Sequence, residues 1–444
     1  MFLGLYRLLF APILLILAPY YLWRMRRRGG YAEHFGDRWG GFDRVPSRRP
    51  GVRRVWIQAV SVGEMLAIGP LLERLSADLT LEVVLTCTTS TGQAIAKERY
   101  ARRILALGYF PLDAWPFSRR SWKKIDPDLM ILVEGERWPE HLAQARIRGV
   151  PVICINARLS DRSYRRMQRV RWAVPSLMRG LTRVVAASAH DAARFVELGF
   201  DPARVQTSGN IKLDLTLPPL DPAKRRDLLV SLGFPEGEPI LLGSSTWPGE
   251  EKAILEAFSA LHAAGLAARL LIVPRHAERR GEIIPELAAS GLSFHVRSSG
   301  PAPGPCQVVL ADTTGELRGL TQLAEVVFVG KSLPPHHEGQ TPIEAAALGK
   351  PILMGPEMSN FRPIAVELTD AGAALRVPDA AGLCAAVRTL WVDPAKRRAM
   401  ASAARDWHRR NQGALDRTLA VIHAELETGA GGGDKMHVGQ VPGV

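Results

Sequence analysis

The sequence has little cysteine: four residues, Cys87, Cys154, Cys306 and Cys384, far apart in the chain. No CxxC pair or Cys/His spacing occurs, which excludes a zinc ribbon and a disulfide framework and fits a reducing compartment. Equally missing are a Walker loop, a GxGxxG fingerprint, an HExxH helix and a Ser-His-Asp signature. No carboxylate cluster suited to a metal is present, so neither a metal nor any other cofactor is implied. A chain disordered throughout is excluded as well, because hydrophobic content is 47% and charged content 23%, as in globular proteins. At 444 residues the chain exceeds one ordinary core, and two domains are expected.

What is present begins with charge, a net +13 that is unevenly spread. Residues 24–54 hold ten arginines against Glu33, Asp37 and Asp43, a local balance of +7. A second cluster runs from Arg158 through Arg162, Arg165, Arg166, Arg169 and Arg171. Such patches attract nucleic acid, anionic headgroups or phosphorylated substrates, and a solvated surface is the plainer reading of the second. The first follows an uncharged run of 16 residues, Leu8–Trp23. A single span is feasible at about 20 residues if Arg7 snorkels to the interface. Tyr20, Tyr21 and Trp23 form an aromatic belt, and the following arginines place the bulk of the chain in the cytoplasm. A cleaved signal peptide is a weaker rival, because the positive charge lies mainly after the apolar run and no small-residue cleavage site follows. Pro12 and Pro19 leave open a further option, a shallow helix lying in the interface. A chain tethered this way meets anionic inner-membrane lipids first, so nucleic acid is not the expected partner.

Beyond Val55 short apolar runs alternate with amphipathic stretches. VWIQAV, LEVVLT, LMILVE, VPVICIN and RVVAAS read as buried strands. MLAIGPLLERL and HDAARFVELG read as helices. After TLPPLDP the alternation restarts with PILLGSS, ARLLIVP, CQVVLA, EVVFVG and KPILMG. The expectation is α/β: two doubly wound, Rossmann-like domains with parallel sheets facing a cleft. The expected division is a membrane anchor over 1–25, a first domain over 26–215 and a linker over 216–222. A second domain over 223–427 and a Gly-rich disordered tail over 428–444 follow.

In such sheets the loops after the strands carry chemistry. SVGE sets Ser61 and Glu64 as a capping box, and a glutamate there can also take a proton from an attacking sugar hydroxyl. LTCTTSTGQA offers Thr89 and Gly92 at a helix start, either as a plain turn or as sugar contacts. VEGERWP places Glu134 and Glu136 after a strand, where either can pair with Arg158. LLGSSTWPGEE puts Ser244, Ser245 and Thr246 where backbone N–H groups can cradle an anion. Arg275, after LLIVP, can bind a phosphate. TTGELRGL presents a Gly loop, and GQTPIEAA a second capping box with Thr341 as N-cap, Pro342 at N1 and Glu344 at N3. Glu344 can alternatively accept from a ribose diol.

Taken together, WIQAVSVGE, LTCTTSTG, YFPLD, VEGERWP, INARLSDRS, GNIKLD, STWPGEE, VPRHAER, TTGEL, FVGKSL, TPIEAAALGKP and GPEMSNF resemble the 3-deoxy-D-manno-octulosonic acid (Kdo) transferase family. They occur in the family's order over roughly residues 30 to 410. The resemblance implies an inverting, metal-independent glycosyltransferase of the GT-B type, with CMP-Kdo as donor and the lipid A precursor as acceptor. The setting it implies is the cytoplasmic face of the inner membrane. By position it puts the catalytic base on Glu64. The CMP contacts fall on Pro274, Arg275, Gly315, Glu316, Leu317, Thr341, Pro342, Ile343 and Glu344. The chain departs from the family's pattern at Gln58, at Arg137 and in HHEGQT, which leaves room for another nucleotide-sugar transferase. An inactive, membrane-bound binding protein is the reading from outside the enzymes, and the joint presence of Glu64, Arg275 and Glu344 speaks against it.

Overall fold

A computed structural model of the chain describes residues 2–29, 31, 33–215 and 217–431. The first sheet contains β1 (Arg53–Gln58), β2 (Leu81–Cys87), β3 (Ala106–Tyr109), β4 (Leu129–Val133), β5 (Val152–Ala157), β6 (Arg183–Ala186) and β7 (Val205–Thr207). Their order is β3-β2-β1-β4-β5-β6-β7, with every pairing parallel. The second contains β8 (Ile240–Thr246), β9 (Arg269–Pro274), β10 (Phe294–Val296), β11 (Val308–Leu310), β12 (Val326–Val329), β13 (Ile352–Met354) and β14 (Ala374–Arg376). Its order is β10-β11-β9-β8-β12-β13-β14, again parallel. Each sheet therefore reverses its winding direction once, at β1/β4 and at β8/β12.

Apolar residues on both sides of a strand call for cover on both faces. In β1, Val55 and Ile57 pack with Leu71 and Leu72 on one face. Trp56 packs with Phe110 and Trp122 on the other. The stretch MLAIGPLLERL forms two helices, Val62–Ala67 and Gly69–Ala77, because Pro70 has no N–H for the Leu66 carbonyl.

The chain divides into two compact units at Asp214/Leu215 and again at Asn411/Gln412, so the last helix, Ala414–Gly431, belongs to the first unit. This differs from a second domain running to residue 427. The helix offers Ala414, Leu419, Ile422 and Leu426 to the core that holds Val55 and Ile57. Asp214 accepts from the Gly413 N–H at 2.5 Å and from the Leu415 N–H, and Arg183 pairs with Glu425 at 2.7 Å. Of the expected tail, Thr428–Gly431 continue this helix and 432–444 lie outside the described residues. Of the expected linker, Thr216 lies outside them too, and Asp221 caps the helix Pro222–Leu232.

The arginines of 24–54 are less free than their density suggests. Arg44 pairs with Asp37 at 2.6 Å, Arg48 with Asp128 at 2.5 Å and Arg49 with Glu82 at 2.7 Å. Buried Arg54 shares Glu82 at 2.9 Å, and Arg53 donates to the Leu426 carbonyl. These hold loops and strands together, which leaves Arg24, Arg26 and Arg27 as exposed charge beside the apolar run. The first helix covers Phe2–Arg28. Among the described residues no single helix is long and apolar enough to cross a membrane. The segments Phe2–Phe10 and Pro12–Arg27 pass that test only as a pair, bent by 43°.

Candidate active site

In the first unit the switch point lies between the carboxyl ends of β1 and β4, and Glu64 and Glu134 sit there. Ser61 caps the helix Val62–Ala67, and its Oγ accepts from the Glu64 N–H at 3.2 Å. The Glu64 carboxylate closes the box from the other side, accepting from the Val60 N–H at 2.7 Å and the Ser61 hydroxyl at 3.1 Å. The carboxylate is half-buried. Burial first, and then the charge of Glu134, raises its pKa, while the two hydrogen bonds and Lys212 act in the opposite direction. The same side chain is thus a helix cap and a carboxylate of increased basicity.

Glu134 stands on the turn after β4 with φ +58, where a non-glycine residue is rare. Its carboxylate pairs with Lys212 at 2.5 Å and accepts from the Asn156 amide at 3.4 Å. Asn156, itself at φ +48, accepts in turn from the Ile211 N–H at 3.1 Å. The expected pairing of a VEGERWP acid with Arg158 is therefore replaced. Arg158 reaches Glu134 only through its backbone N–H to the carbonyl, at 3.4 Å. Lys212, from GNIKLD, is the residue that local reading could not assign, since 78 positions separate it from Glu134. Glu136 is half-buried with one oxygen lacking a hydrogen-bond partner. Burial and the Glu64 carboxylate push its pKa up to about 7. Among the described residues no group of three His, Cys, Asp or Glu side chains is arranged to hold a metal ion.

Thr89 caps the helix Ser90–Tyr100 by accepting from Gly92 N–H at 3.1 Å, and its hydroxyl donates to the Val60 carbonyl at 3.1 Å. That ties the β2 loop to the Glu64 loop and commits both Thr89 and Gly92 to the scaffold.

In the second unit the switch point lies between β8 and β12. A small cavity there is lined by Ser244, Ser245, Leu317, Thr321, Thr341 and Glu344. Residues from three separate sequence motifs, the loops after β8, before the helix Leu317–Leu323 and before the helix Ile343–Ala347, thus converge in space. Ser245 has φ +55, and the β8/β9 register shifts at this point. Lys331, after β12, has φ +57. A Cβ on Gly330 would meet the Ser245 carbonyl oxygen at 2.4 Å, so only glycine lets these two loops approach so closely.

The two loops are held by a residue with no role in the sequence reading. Buried Glu250 accepts from the N–H groups of Trp247 at 2.9 Å, Lys331 at 2.7 Å, Ser332 at 2.7 Å and Leu333 at 3.0 Å. Its neighbour Glu251 pairs with Arg279 at 2.7 Å and accepts from the Thr246 hydroxyl at 2.7 Å. Thr246 is fully buried, so its hydroxyl is committed there.

The remaining candidates occupy distinct places. Pro274 ends β9, and Arg275 follows it, its N–H donating to the Thr246 carbonyl at 3.1 Å while its side chain is exposed. Gly315 turns with φ +91, and Glu316 pairs with Arg297 at 3.0 Å, a charge that lowers its pKa. The helix expected from Pro342 starts at Ile343, whose N–H donates to the Thr341 hydroxyl at 3.3 Å. Glu344 pairs with Arg318 at 2.9 Å.

A family profile described as 3-Deoxy-D-manno-octulosonic-acid transferase (kdotransferase) matches residues 30–215. A 3-deoxy-D-manno-octulosonic acid transferase of Bordetella pertussis is 36% identical over 423 residues, covering 91% of this chain and 96% of the relative. The enzyme of that name from Haemophilus influenzae is 31% identical over 401 residues, covering 89% and 92%. Among solved structures, the UDP-GlcNAc 2-epimerase of Neisseria meningitidis superimposes with a TM-score of 0.58 at 14% identity, covering 84% of this chain and 100% of that one. That last likeness shows the fold alone, two parallel α/β units of the GT-B type. Identity above 30% along almost the whole of two relatives carries more: this chain belongs to the 3-deoxy-D-manno-octulosonic acid transferase family.

Proposed function

We propose that the protein is an inverting glycosyltransferase that moves Kdo from CMP-Kdo to the lipid A precursor in lipopolysaccharide synthesis. It acts at the cytoplasmic face of the inner membrane, with its first helix as the anchor. In the reaction an acceptor hydroxyl attacks the anomeric carbon of Kdo, and the bond from that carbon to the CMP phosphate oxygen breaks. CMP leaves with the bonding pair, and the hydroxyl proton passes to Glu64.

The observation that carries this reading is the position of Glu64 at the β1/β4 switch point, with its basicity raised by burial and by Glu134. A base of that kind is matched to a hydroxyl that loses its proton only as the new bond forms. For CMP the second unit supplies candidates at its own switch point. Arg275 carries an exposed guanidinium for the phosphate, and Ser245, Leu317, Thr341 and Glu344 converge around a small cavity at the switch point, where they offer polar groups to the nucleoside. Pro274, Gly315, Glu316, Pro342 and Ile343 flank these groups in sequence. Because Glu344 is paired with Arg318, it reaches a ribose diol by exchanging one partner for another.

The test is incubation of the purified protein with CMP-Kdo and lipid A precursor, with and without chelator, followed by mass spectrometry. Glycosylated acceptor in both conditions is the expected result. No product with CMP-Kdo, but product with another activated sugar, overturns the donor assignment.

A further inference from the structure

The first helix cannot be read as a simple membrane span once its two ends are followed. Near its start, the Tyr6 hydroxyl donates to Asp113 at 2.6 Å, and Arg7 forks onto Glu140 at 2.7 and 3.0 Å. Phe2 packs on Trp172 with ring centroids 4.9 Å apart. Asp113 and Glu140 are buried residues of the first unit. Past its end, Tyr31 stacks on Tyr109 at 5.4 Å and Glu33 pairs with Lys97 at 2.7 Å, both again in the first unit. A helix that crosses a bilayer delivers its ends to opposite sides, whereas this one is fastened to one body at both.

Length and charge agree. Leu8–Trp23 contains no charge, and its 16 residues extend about 24 Å as a helix, against about 30 Å of hydrocarbon. Leu8, Leu15 and Ile16 are 71–75% exposed and no polar face interrupts the run, so water is not its solvent. Arginines flank both ends. Arg24, Arg26 and Arg27 follow the aromatic residues Tyr20, Tyr21 and Trp23. At the other end, Trp172, which meets Phe2, lies three residues past the helix Asp161–Arg169, where no residue is buried and Arg162, Arg165, Arg166 and Arg169 are exposed. Positive charge marks the side of a membrane on which a segment stays, and here it marks the same side twice.

We propose, resting on the membrane reading above, that the first helix is monotopic. It sinks into the near leaflet of an anionic bilayer and returns, with both ends and both arginine groups at the headgroups on the side of the protein's own α/β units. The second arginine cluster then contacts lipid phosphates instead of only water.

Gly4→Cys tests this, since Gly4 is exposed with open space around its Cα. The full chain is labelled with a membrane-impermeant maleimide in sealed spheroplasts and in inverted inner-membrane vesicles. Leu79→Cys, 87% exposed in the first unit, reports the side of that unit, and the unsubstituted chain gives the background. The expected result is that G4C labels in the same preparation as L79C, with at least tenfold less in the other. Labelling of G4C only in the preparation where L79C is protected overturns the proposal, because the helix then crosses. Labelling in neither overturns it too, because Gly4 then lies in hydrocarbon. If the unsubstituted chain fails to sediment with membranes, it is the membrane reading itself that falls, an outcome separate from the other two.

Discussion

Replacing Glu64 with glutamine separates its observed role as a helix cap from its proposed role as a base. As a cap, Glu64 accepts from the Val60 N–H at 2.7 Å and from the Ser61 hydroxyl at 3.1 Å. The glutamine carbonyl can keep the first bond, and its amide can donate to the serine oxygen. A lost cap costs about 0.5–2 kcal/mol, so Glu64→Gln is expected to fall well inside that range. Removal of a negative charge beside Glu134 and Glu136 offsets part of it. In the proposed role as base, the carboxylate has no substitute, and turnover should fall about 10²–10⁴-fold, roughly 3–5 kcal/mol in barrier. Glu64→Ala is the contrast, because it loses cap and base together and should lower both turnover and melting temperature. The assay is initial rate on detergent-dispersed acceptor at saturating donor, with calorimetric melting of the same samples. Near-wild-type turnover by the glutamine variant refutes the base assignment. A glutamine variant as unstable as the alanine one refutes the account of the cap.

Arg275→Ala should weaken CMP binding by about 1.5–3 kcal/mol in titration calorimetry, the scale of a charge-assisted hydrogen bond. Unchanged affinity there and in Glu344→Ala would remove CMP from this unit's switch point. Glu136, held near 7 against an ordinary 4.5, keeps its proton in the folded state after the unfolded chain has lost it. Stability should therefore fall as pH rises from about 4.5 to 7, by at most about 3 kcal/mol, and Glu136→Gln should flatten that part of the melting-temperature profile. A slope unchanged by the substitution would show that Glu136 ionises normally; Asp113, raised to about 6 by burial, adds a background slope in the same direction. Arg7→Ala leaves buried Glu140 with the Gln144 amide as its remaining side-chain partner at 2.7 Å, and should cost about 1–3 kcal/mol in detergent. Full stability in that variant would mean the helix is not fastened at its start.

The sequence by itself determined the ten central strands, because a strand buried on both faces must be continuously apolar, as in VVLT or MILV. The four it left unread, β3, β7, β10 and β14, are the edges of the two sheets. An edge strand needs only three or four residues and less apolar surface, so its local signal sinks into the surrounding loops. Ser61 as a cap and Glu64 as its return partner were also legible, since a capping box is a property of four consecutive residues. Tertiary structure decided everything that depends on distant partners. Lys212 rather than Arg158 neutralises Glu134, Glu250 holds the loops after β8 and β12, and the helix from Ala414 returns to the first unit. Charge shows the difference most plainly. Composition counts arginines, but whether one is a free cation or half of an ion pair is set by which carboxylate the fold brings within 3 Å. Arg44, Arg49 and Arg54 found theirs in Asp37 and Glu82, and Arg24, Arg26 and Arg27 remain exposed beside the apolar helix.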